Sequence, residues 1–372
     1  MKVLGIETSC DECAAAVVEN GVVLSNVVAT QIPFHAKYQG VVPEIASRMH
    51  TRWIYGVVDR ALKDAGLKPH DVEGLAVTAH PGLLGSLLVG LHFGKAFAWA
   101  RDIPYIAVDH LLAHLYASRL RRAGAEEEGV YPDYPFLGLL VSGGHSAICR
   151  ADDFDDITVL GTTIDDAVGE AFDKVAKFYG LGYPGGAAID RLAQTGDSGA
   201  FKFPMPNLYK KGRDGKDHPY DFSYSGLKTA VVNQLEQFRV KKPEIPGGGR
   251  RQGEPLRGGA VSPALSGGEA ADIAASFQKT AVEILLRGLF RAAADTGITT
   301  VVAGGGVAAN SYLRSRLAGQ GGLRTIFPPP ELCGDNGAMV AGIGERYLLR
   351  GDRSALSETA SARVRAFRRS YP

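Results

Sequence analysis

His110 and His114 stand four residues apart in the stretch DHLLAH, directly after the apolar, strand-like run Ile103 to Val108. Side chains at i and i+4 share one face of a helix, so both imidazoles can reach a single cation. That spacing supplies half of a metal site. Leu111 occupies the place where H-E-x-x-H carries its glutamate, so the general base of a zinc protease is missing from its usual position. Two histidines that merely cap or solvate a helix beside a strand end would show the same spacing.

A third ligand is on offer in CGDNGAM, where Asp335 stands at a helix start beside glycines that leave room for a bound group. An aspartate there is either the N-cap of the helix or, facing the histidines, the carboxylate of a two-histidine, one-carboxylate set. Such a set keeps coordination positions open for substrate and suits iron(II) or zinc. His114 and Asp335 are more than 200 residues apart, so a metal held by both would tie two halves of the chain together.

Turns that expose backbone N–H groups at strand ends recur along the chain. Thr8, Ser9, Cys10, Asp11 and Glu12 form one, Ser142, Gly143, Gly144 and His145 another, and AGGGVAAN, residues 303–310, a third. Small side chains admit a phosphate or a flat ring to the main chain. The paired acids Asp11 and Glu12 argue instead for work on a cation, a water or a proton. None of these turns matches GxxxxGK[ST], and no GxGxxG is followed by the acidic residue of a dinucleotide site. Each alone also reads as a tight turn; together, at corresponding places, they point to a nucleotide cleft.

The elements that would position these residues fall into two similar halves. The chain opens as a β meander, VLGIE then AAAVVENGVVLSNVVA, broken at the hairpin dipeptide Asn20-Gly21. Helical spacing follows over Pro43 to Ala65, then strand GLAVTA, the turn HPGLLGS, a helix over Leu87 to Arg101, strand IPYIAVD and the histidine helix. A second strand–turn–strand start, Phe136 to Arg150, echoes residues 3–18. Helices are expected at Asp165 to Tyr179, Ala187 to Thr195, Gly226 to Arg239 and Ala270 to Thr296, then strand TTVVAGGG, a helix over Asn310 to Leu317 and a last one opened by CGDNGAM. The repeated opening suggests an internal duplication facing across a cleft. The expected division is an N-terminal lobe, 1–131, with the histidines, a C-terminal lobe, 132–336, with the nucleotide loops, and a C-terminal helix with a basic tail, 337–372.

Composition bounds the partners. With 372 residues and 45% apolar content the chain can fill one large or two medium cores. Its net charge of +1 gives no global pull toward a polyanion, so any nucleic acid must be met by local patches. Candidates are Arg119, Arg121 and Arg122; Lys202, Lys210, Lys211, Arg213 and Lys216; and Arg363, Arg365, Arg368 and Arg369. Residues 240–268, rich in Gly, Pro, Arg and Ser, read as a mobile surface insertion whose Arg250, Arg251 and Arg257 could brush RNA. No apolar run approaches the roughly 20 residues of a bilayer span, so a cytoplasmic protein is expected, with no membrane partner. Four cysteines make no disulfide framework, and the Cys10–Cys13 CxxC lies in a polar turn rather than opening a helix.

The motifs GIETSCDE, VVPEIASR, PGLLGSLLVG, HLLAH, LLVSGGHS, DDAVGEAFDKVAK, YPGG, DFSYSGLKTA, AGGGVAAN and CGDNGAM occur here in one order. In this the chain resembles the bacterial-type tRNA N6-adenosine threonylcarbamoyltransferases, over nearly its whole length apart from residues 240–268. The resemblance implies the two-lobed α/β fold of the actin, Hsp70 and sugar-kinase superfamily, with duplicated βββαβα-type halves around a nucleotide cleft. It implies transfer of a threonylcarbamoyl group from threonylcarbamoyl-AMP to N6 of adenosine 37, just 3′ of the anticodon in tRNAs reading ANN codons, with release of AMP. By resemblance His110, His114 and Asp335 match the metal ligands, with one ferrous iron per subunit the usual assignment and zinc the alternative. Leu140, Val141, Ser142, Gly143, Gly144, Asp173, Gly186, Asp190 and Asn310 match the substrate pocket. Partners implied are tRNA, a paralogue of the same fold, a small ATPase and a separate synthase that makes the adenylate. The VVPEIASR helix, with Glu44 and Arg48, is the place to look for an interface.

Asp11, with Glu12 as the alternative, is the candidate to take the proton from the attacking amine. His80 stands where that family usually has glycine and Cys13 where it usually has threonine. Competing functions are an ATP-hydrolysing chaperone or kinase of the same superfamily, a metalloprotease and an inert scaffold. Tightly held iron or zinc separates the transferase from the phosphotransferase, whose magnesium would be held through phosphates.

Overall fold

The computed structural model describes residues 1–124, 132–206, 218–237 and 267–364, and the backbone of a short strand at 368–369. Most of the 240–268 insertion, with Arg250, Arg251 and Arg257, lies outside the described residues, as do Lys210, Lys211, Arg213, Lys216 and Arg365.

Asn20 and Gly21 both take positive φ, 54° and 72°, the geometry whose twist matches that of two antiparallel strands. They join β2 (Glu12–Glu19) to β3 (Val22–Thr30), and β1 (Lys2–Glu7) pairs antiparallel with β2 in the register Val3↔Val18. Then come α1 (Ile32–His35), α2 (Pro43–Asp64), β4 (Gly74–His80), α3 (Leu84–Arg101), β5 (Tyr105–Asp109), α4 (His110–Tyr116) and β6 (Arg121–Arg122). The sheet order is β5-β4-β1-β2-β3-β6, with β4 and β5 parallel to β1. From Val3 to Glu7, β1 is buried without alternation, because helices cover both faces of the sheet.

The second half repeats the plan with β7 (Phe136–Val141), β8 (Ser146–Ala151), β9 (Ile157–Thr162), α5 (Val168–Tyr179), α6 (Gly185–Ala193), α7 (Ser225–Gln237) and α8 (Gly267–Thr296). It continues through β10 (Thr300–Gly304), α9 (Ser311–Ala318), β11 (Arg324–Ile326), α10 (Gly337–Arg350) and β12 (Arg368–Arg369). The order β11-β10-β7-β8-β9-β12 copies the first sheet position for position, as a duplication requires. Strands β6, β9, β11 and β12 are additions to those expected from the sequence. The helix expected from Asp165 starts only at Val168 because Asp165 binds Ser223 Oγ and accepts from Tyr224 N (2.8 Å). Helix α3 begins at Leu84, three residues before the expected Leu87.

Each half sends its last helix across to the other. Helix α4 leaves β5 and meets β7 and β10, while α10 leaves the second half and lies on β1, β2, β4 and β5. One apolar core therefore mixes Val3, Ala76 and Val108 with Leu140, Val302, Met339 and Ile343. Separate cores lie under α2 and α3 and among α5 to α9. Among the described residues, no helix is long and apolar enough to cross a membrane.

Helix α10 approaches its sheet at backbone distance. A Cβ on Gly5 would lie 2.4 Å from both Ala341 N and Gly337 O, and one on Gly344 would lie 2.2 Å from Ala76 Cβ. Buried Glu345 fixes the same helix at its far end, accepting from Asn20 N (2.6 Å) and Gly21 N (2.9 Å). A Gly5→Val protein should lose about 3 kcal/mol or more, since two backbones cannot separate without opening the core. In contrast, Gly56→Ala on the exposed face of α2, where nothing lies within 4 Å of an added Cβ, should gain about 0.5–1 kcal/mol. Urea unfolding of both proteins against the parent checks the pair.

Candidate metal and nucleotide site

Asp109 ends β5 and caps α4: its Oδ1 accepts from Leu111 N (2.8 Å) and Leu112 N (3.1 Å). The cap starts the helix at His110, which puts His114 one turn on, with ring centroids 4.6 Å apart and edge to face. Both rings are buried. At the other side Asn336, not Asp335, caps α10, accepting from Met339 N (2.9 Å) and donating from Nδ2 to Gly334 O (2.8 Å). Asp335 is thereby freed from the capping role the sequence left open. Its Oδ1 lies 3.2 Å from His114 Nε2 and 3.5 Å from His110 Nε2.

The ligand atoms of His110, His114 and Asp335 lie within 4.8 Å of one another. His114 Nε2 is buried without a hydrogen bond, although it points at Asp335. A buried nitrogen and a carboxylate oxygen that converge without bonding each other suit a shared cation. The donor set, two imidazoles and one carboxylate, fits iron(II) or zinc and leaves positions open.

Sequence reasoning missed Glu7. The last residue of β1 is fully buried, and its Oε2 lies 3.1 Å from His110 Nδ1. Its signal was present in VLGIE, a lone carboxylate closing an otherwise apolar strand. Burial alone would lower the pKa of His110, but Asp335 and Glu7 outweigh it and push it up to about 9. Burial would likewise raise Asp335, yet His110 and His114 hold it down to about 2. Glu7 is lowered too, because the His110 imidazolium overcomes desolvation. His145 moves the other way, depressed first by burial and then by His110.

The first turn is braced on all sides. Leu83 N donates to Ser9 O (2.8 Å), Gln31 N donates to Asp11 O (2.9 Å), and His50 Nε2 meets Cys10 O at 2.9 Å. Asp11 is buried and its Oδ2 has no hydrogen bond. Burial, then Asp335, then Asp11 push half-buried Glu12 up to about 9, so this carboxyl keeps its proton at neutral pH. Burial, with a smaller contribution from Asp11, raises Asp173, which stands on α5 in the second half.

The second turn closes through Ser142 N to His145 O (2.8 Å) and His145 N to Ser142 Oγ (3.1 Å), with Gly143 and Gly144 exposed beside it. Leu140 and Val141 are core residues and offer the site only their main chain. The third loop seats on both neighbours: a Cβ on Gly305 (φ 94°) would lie 2.4 Å from Val141 O, and one on Gly304 2.6 Å from His114 O. Asp173 Oδ1 accepts from Gly185 N (2.7 Å), beside half-buried Gly186. Asp190 binds Ser311 Oγ (2.6 Å), and Asn310 caps α9 through Leu313 N (3.0 Å) while donating to Gln278 Oε1 (3.2 Å). These polar residues brace the loops that carry them.

His80 Nδ1 lies 3.3 Å from Asp109 Oδ2, so the departure from glycine is accommodated against the cap of α4. Cys13 is buried in β2, and all four cysteines are free thiols. In the first basic cluster Arg119 Nη1 donates to Pro132 O (2.9 Å) and Arg122 pairs with Glu331 (2.5 Å).

Two duplicated six-stranded sheets with crossing helices define a two-lobed α/β fold of the actin and Hsp70 type. Full-length HypF in a phosphate- and nucleotide-bound form is similar over 93% of this chain and 55% of that one, with TM-score 0.54 and 14% identity. Component A of the Acidaminococcus fermentans (R)-2-hydroxyglutaryl-CoA dehydratase is similar over 94% of this chain and 99% of that one, with TM-score 0.50 and 13% identity. Those likenesses are of fold. The family described as TsaD, tRNA N6-adenosine threonylcarbamoyltransferase, matches residues 22–342. Proteins of that name from Treponema denticola and Borreliella burgdorferi strain ZS7 are 57% and 45% identical over 99% and 100% of this chain, covering 98% and 96% of their own lengths. The chain belongs to the tRNA N6-adenosine threonylcarbamoyltransferase family, a family of transferases.

A pH dependence follows from His110. A metal ligand must be neutral at the coordinating nitrogen, whereas this ring holds its proton up to about pH 9. Cation affinity should therefore climb with pH, by up to about tenfold per unit, and level off near pH 9. Chelator-competition titrations with Zn²⁺ between neutral pH and that point measure the slope.

Proposed function

We propose that this chain carries the threonylcarbamoyl group of threonylcarbamoyl-AMP to N6 of adenosine 37 in tRNAs reading ANN codons, releasing AMP. The observation that carries the reading is the meeting of His110, His114 and Asp335 beside the glycine loops, in a chain of this family. His110, His114 and Asp335 would hold one iron(II) or zinc ion. When bound, such an ion supplies Lewis-acid polarisation of an acyl oxygen.

The remaining work belongs to the protein. A carbamoyl-adenylate is a mixed anhydride whose carbonyl is already activated, so the enzyme must orient it and keep water out. Open main chain at Gly143, Gly144 and Gly306, where an added Cβ meets nothing within 4 Å, leaves room for the adenylate phosphate. Asp173, Asp190 and Asn310, through the bonds described above, and half-buried Gly186 next to them would shape that pocket. An exocyclic amine is a weak nucleophile: its nitrogen bonds the carbonyl carbon, the carbon–oxygen bond to AMP breaks, and the amine gives up a proton. Asp11 is the better acceptor for it than Glu12, which holds a proton of its own.

The same-fold paralogue would dock where α1 to α3 leave Phe34, Tyr55 and Trp99 49%, 73% and 76% exposed. Glu44 and Arg48 form a solvent-open pair (2.6 Å) on that side.

Reconstitution with threonylcarbamoyl-AMP and unmodified tRNA, followed by mass spectrometry of the nucleosides, tests the reading directly. The parent should form threonylcarbamoyladenosine, and Asp335→Asn should lose both metal and product. Asp11→Asn should retain its metal and transfer about 10²–10⁴-fold more slowly. Full speed in that variant would remove Asp11 from the mechanism.

A further inference from the structure

We propose that Glu7 is a positioning residue for the metal site: it fixes His110 as the Nδ1–H tautomer and so turns the Nε2 lone pair toward Asp335 and His114. This inference rests on the metal reading above. Its basis is the set of partners around one fully buried carboxylate. Glu7 Oε1 accepts from Ser9 N (2.5 Å), and Oε2 accepts from Thr78 Oγ1 (2.5 Å) and faces His110 Nδ1 (3.1 Å). Ser9 Oγ also lies 3.2 Å from His110 Nδ1.

An ionised carboxylate has acceptors only, so every group that bonds it must donate. Ser9 N–H can do nothing else. Thr78 hydroxyl can turn. The imidazole is the partner with a choice, and facing Glu7 it must place its proton on Nδ1. Nε2, 3.5 Å from Asp335 Oδ1, is then left as the coordinating atom. A carboxylate behind a metal-bound histidine fixes ring orientation and tautomer in this way. Glu7, Ser9, Thr78 and His110 come from β1, the loop after it, β4 and α4, so the carboxylate gathers these elements at one point.

Glutamine at this position cannot serve all three donors. Its amide oxygen is drawn to the fixed Ser9 N–H, and its NH₂ then faces His110 Nδ1. The ring must accept there, which moves its proton to Nε2, where the metal should sit.

The test uses the full chain and Zn²⁺ alone. Glu7→Gln should weaken Zn²⁺ about 10–100-fold against the parent in chelator competition. Independently of that variant's folding, ¹⁵N-histidine NMR of the Zn²⁺-loaded parent should show His110 coordinated through Nε2 with a proton retained on Nδ1. Coordination through Nδ1, or a Glu7→Gln affinity within about threefold of the parent, would overturn the role of Glu7 while leaving the metal site standing. Zn²⁺ held no more tightly by the parent than by Asp335→Asn would overturn the metal reading, and the assignment of Glu7 with it.

Discussion

Helix α10 lies on the first sheet with main chain against main chain, and the rest of the site depends on that contact. Gly5 on the strand, with Gly337 and Gly344 on the helix, removes the side chains that would otherwise hold the two surfaces apart. Close packing of this kind leaves little freedom to slide, because any shift drives a Cβ or a carbonyl into a neighbour. Asp335 lies two residues before the helix, and Asn336 closes the cap between them. Its carboxylate is therefore located by the packing of a long element rather than by a loop.

The histidines are located by the mirror-image arrangement. Helix α4 follows the outer strand of the first sheet, starts on the Asp109 cap and crosses to β7 and β10. Because each half lends its last helix to the other, His110, His114 and Asp335 meet at the crossing, and a rigid element stands behind each. Such support is what a preorganised site requires.

Burying Glu7, His110 and His114 beside half-buried Asp335 is costly unless their charges answer one another. Carboxylates and imidazoles alternate here: Glu7 faces His110, and Asp335 faces both rings. That alternation lifts His110 and depresses Asp335, and it leaves a net demand for positive charge that either a proton or a divalent ion can meet. Glu12 sits at the edge of the same field and responds by keeping its proton. Adjacent acids that look equivalent in a string of letters thus sit in different surroundings: Asp11 is buried, whereas half-buried Glu12 is pushed up by burial, Asp335 and Asp11.

Much of this was open to reading in the chain itself. Asn20-Gly21 specified the hairpin through its backbone conformation, the apolar periods specified the helices, and the repeated strand–turn–strand openings announced two halves. The HxxxH spacing placed His110 and His114 on one face, because i and i+4 on a helix share a face whatever the surroundings, and CGDNGAM offered Asp335 as a candidate to meet them. Folding alone decided the rest. Whether Asp335 capped its helix or faced the histidines depended on Asn336 taking the cap. Glu7 emerged only when β1, β4 and α4 were brought together, since its partners lie 71 and 103 residues away. Local spacing fixes which side chains share a face, but which faces meet is set by how sheets and helices pack, and no single segment of sequence contains that.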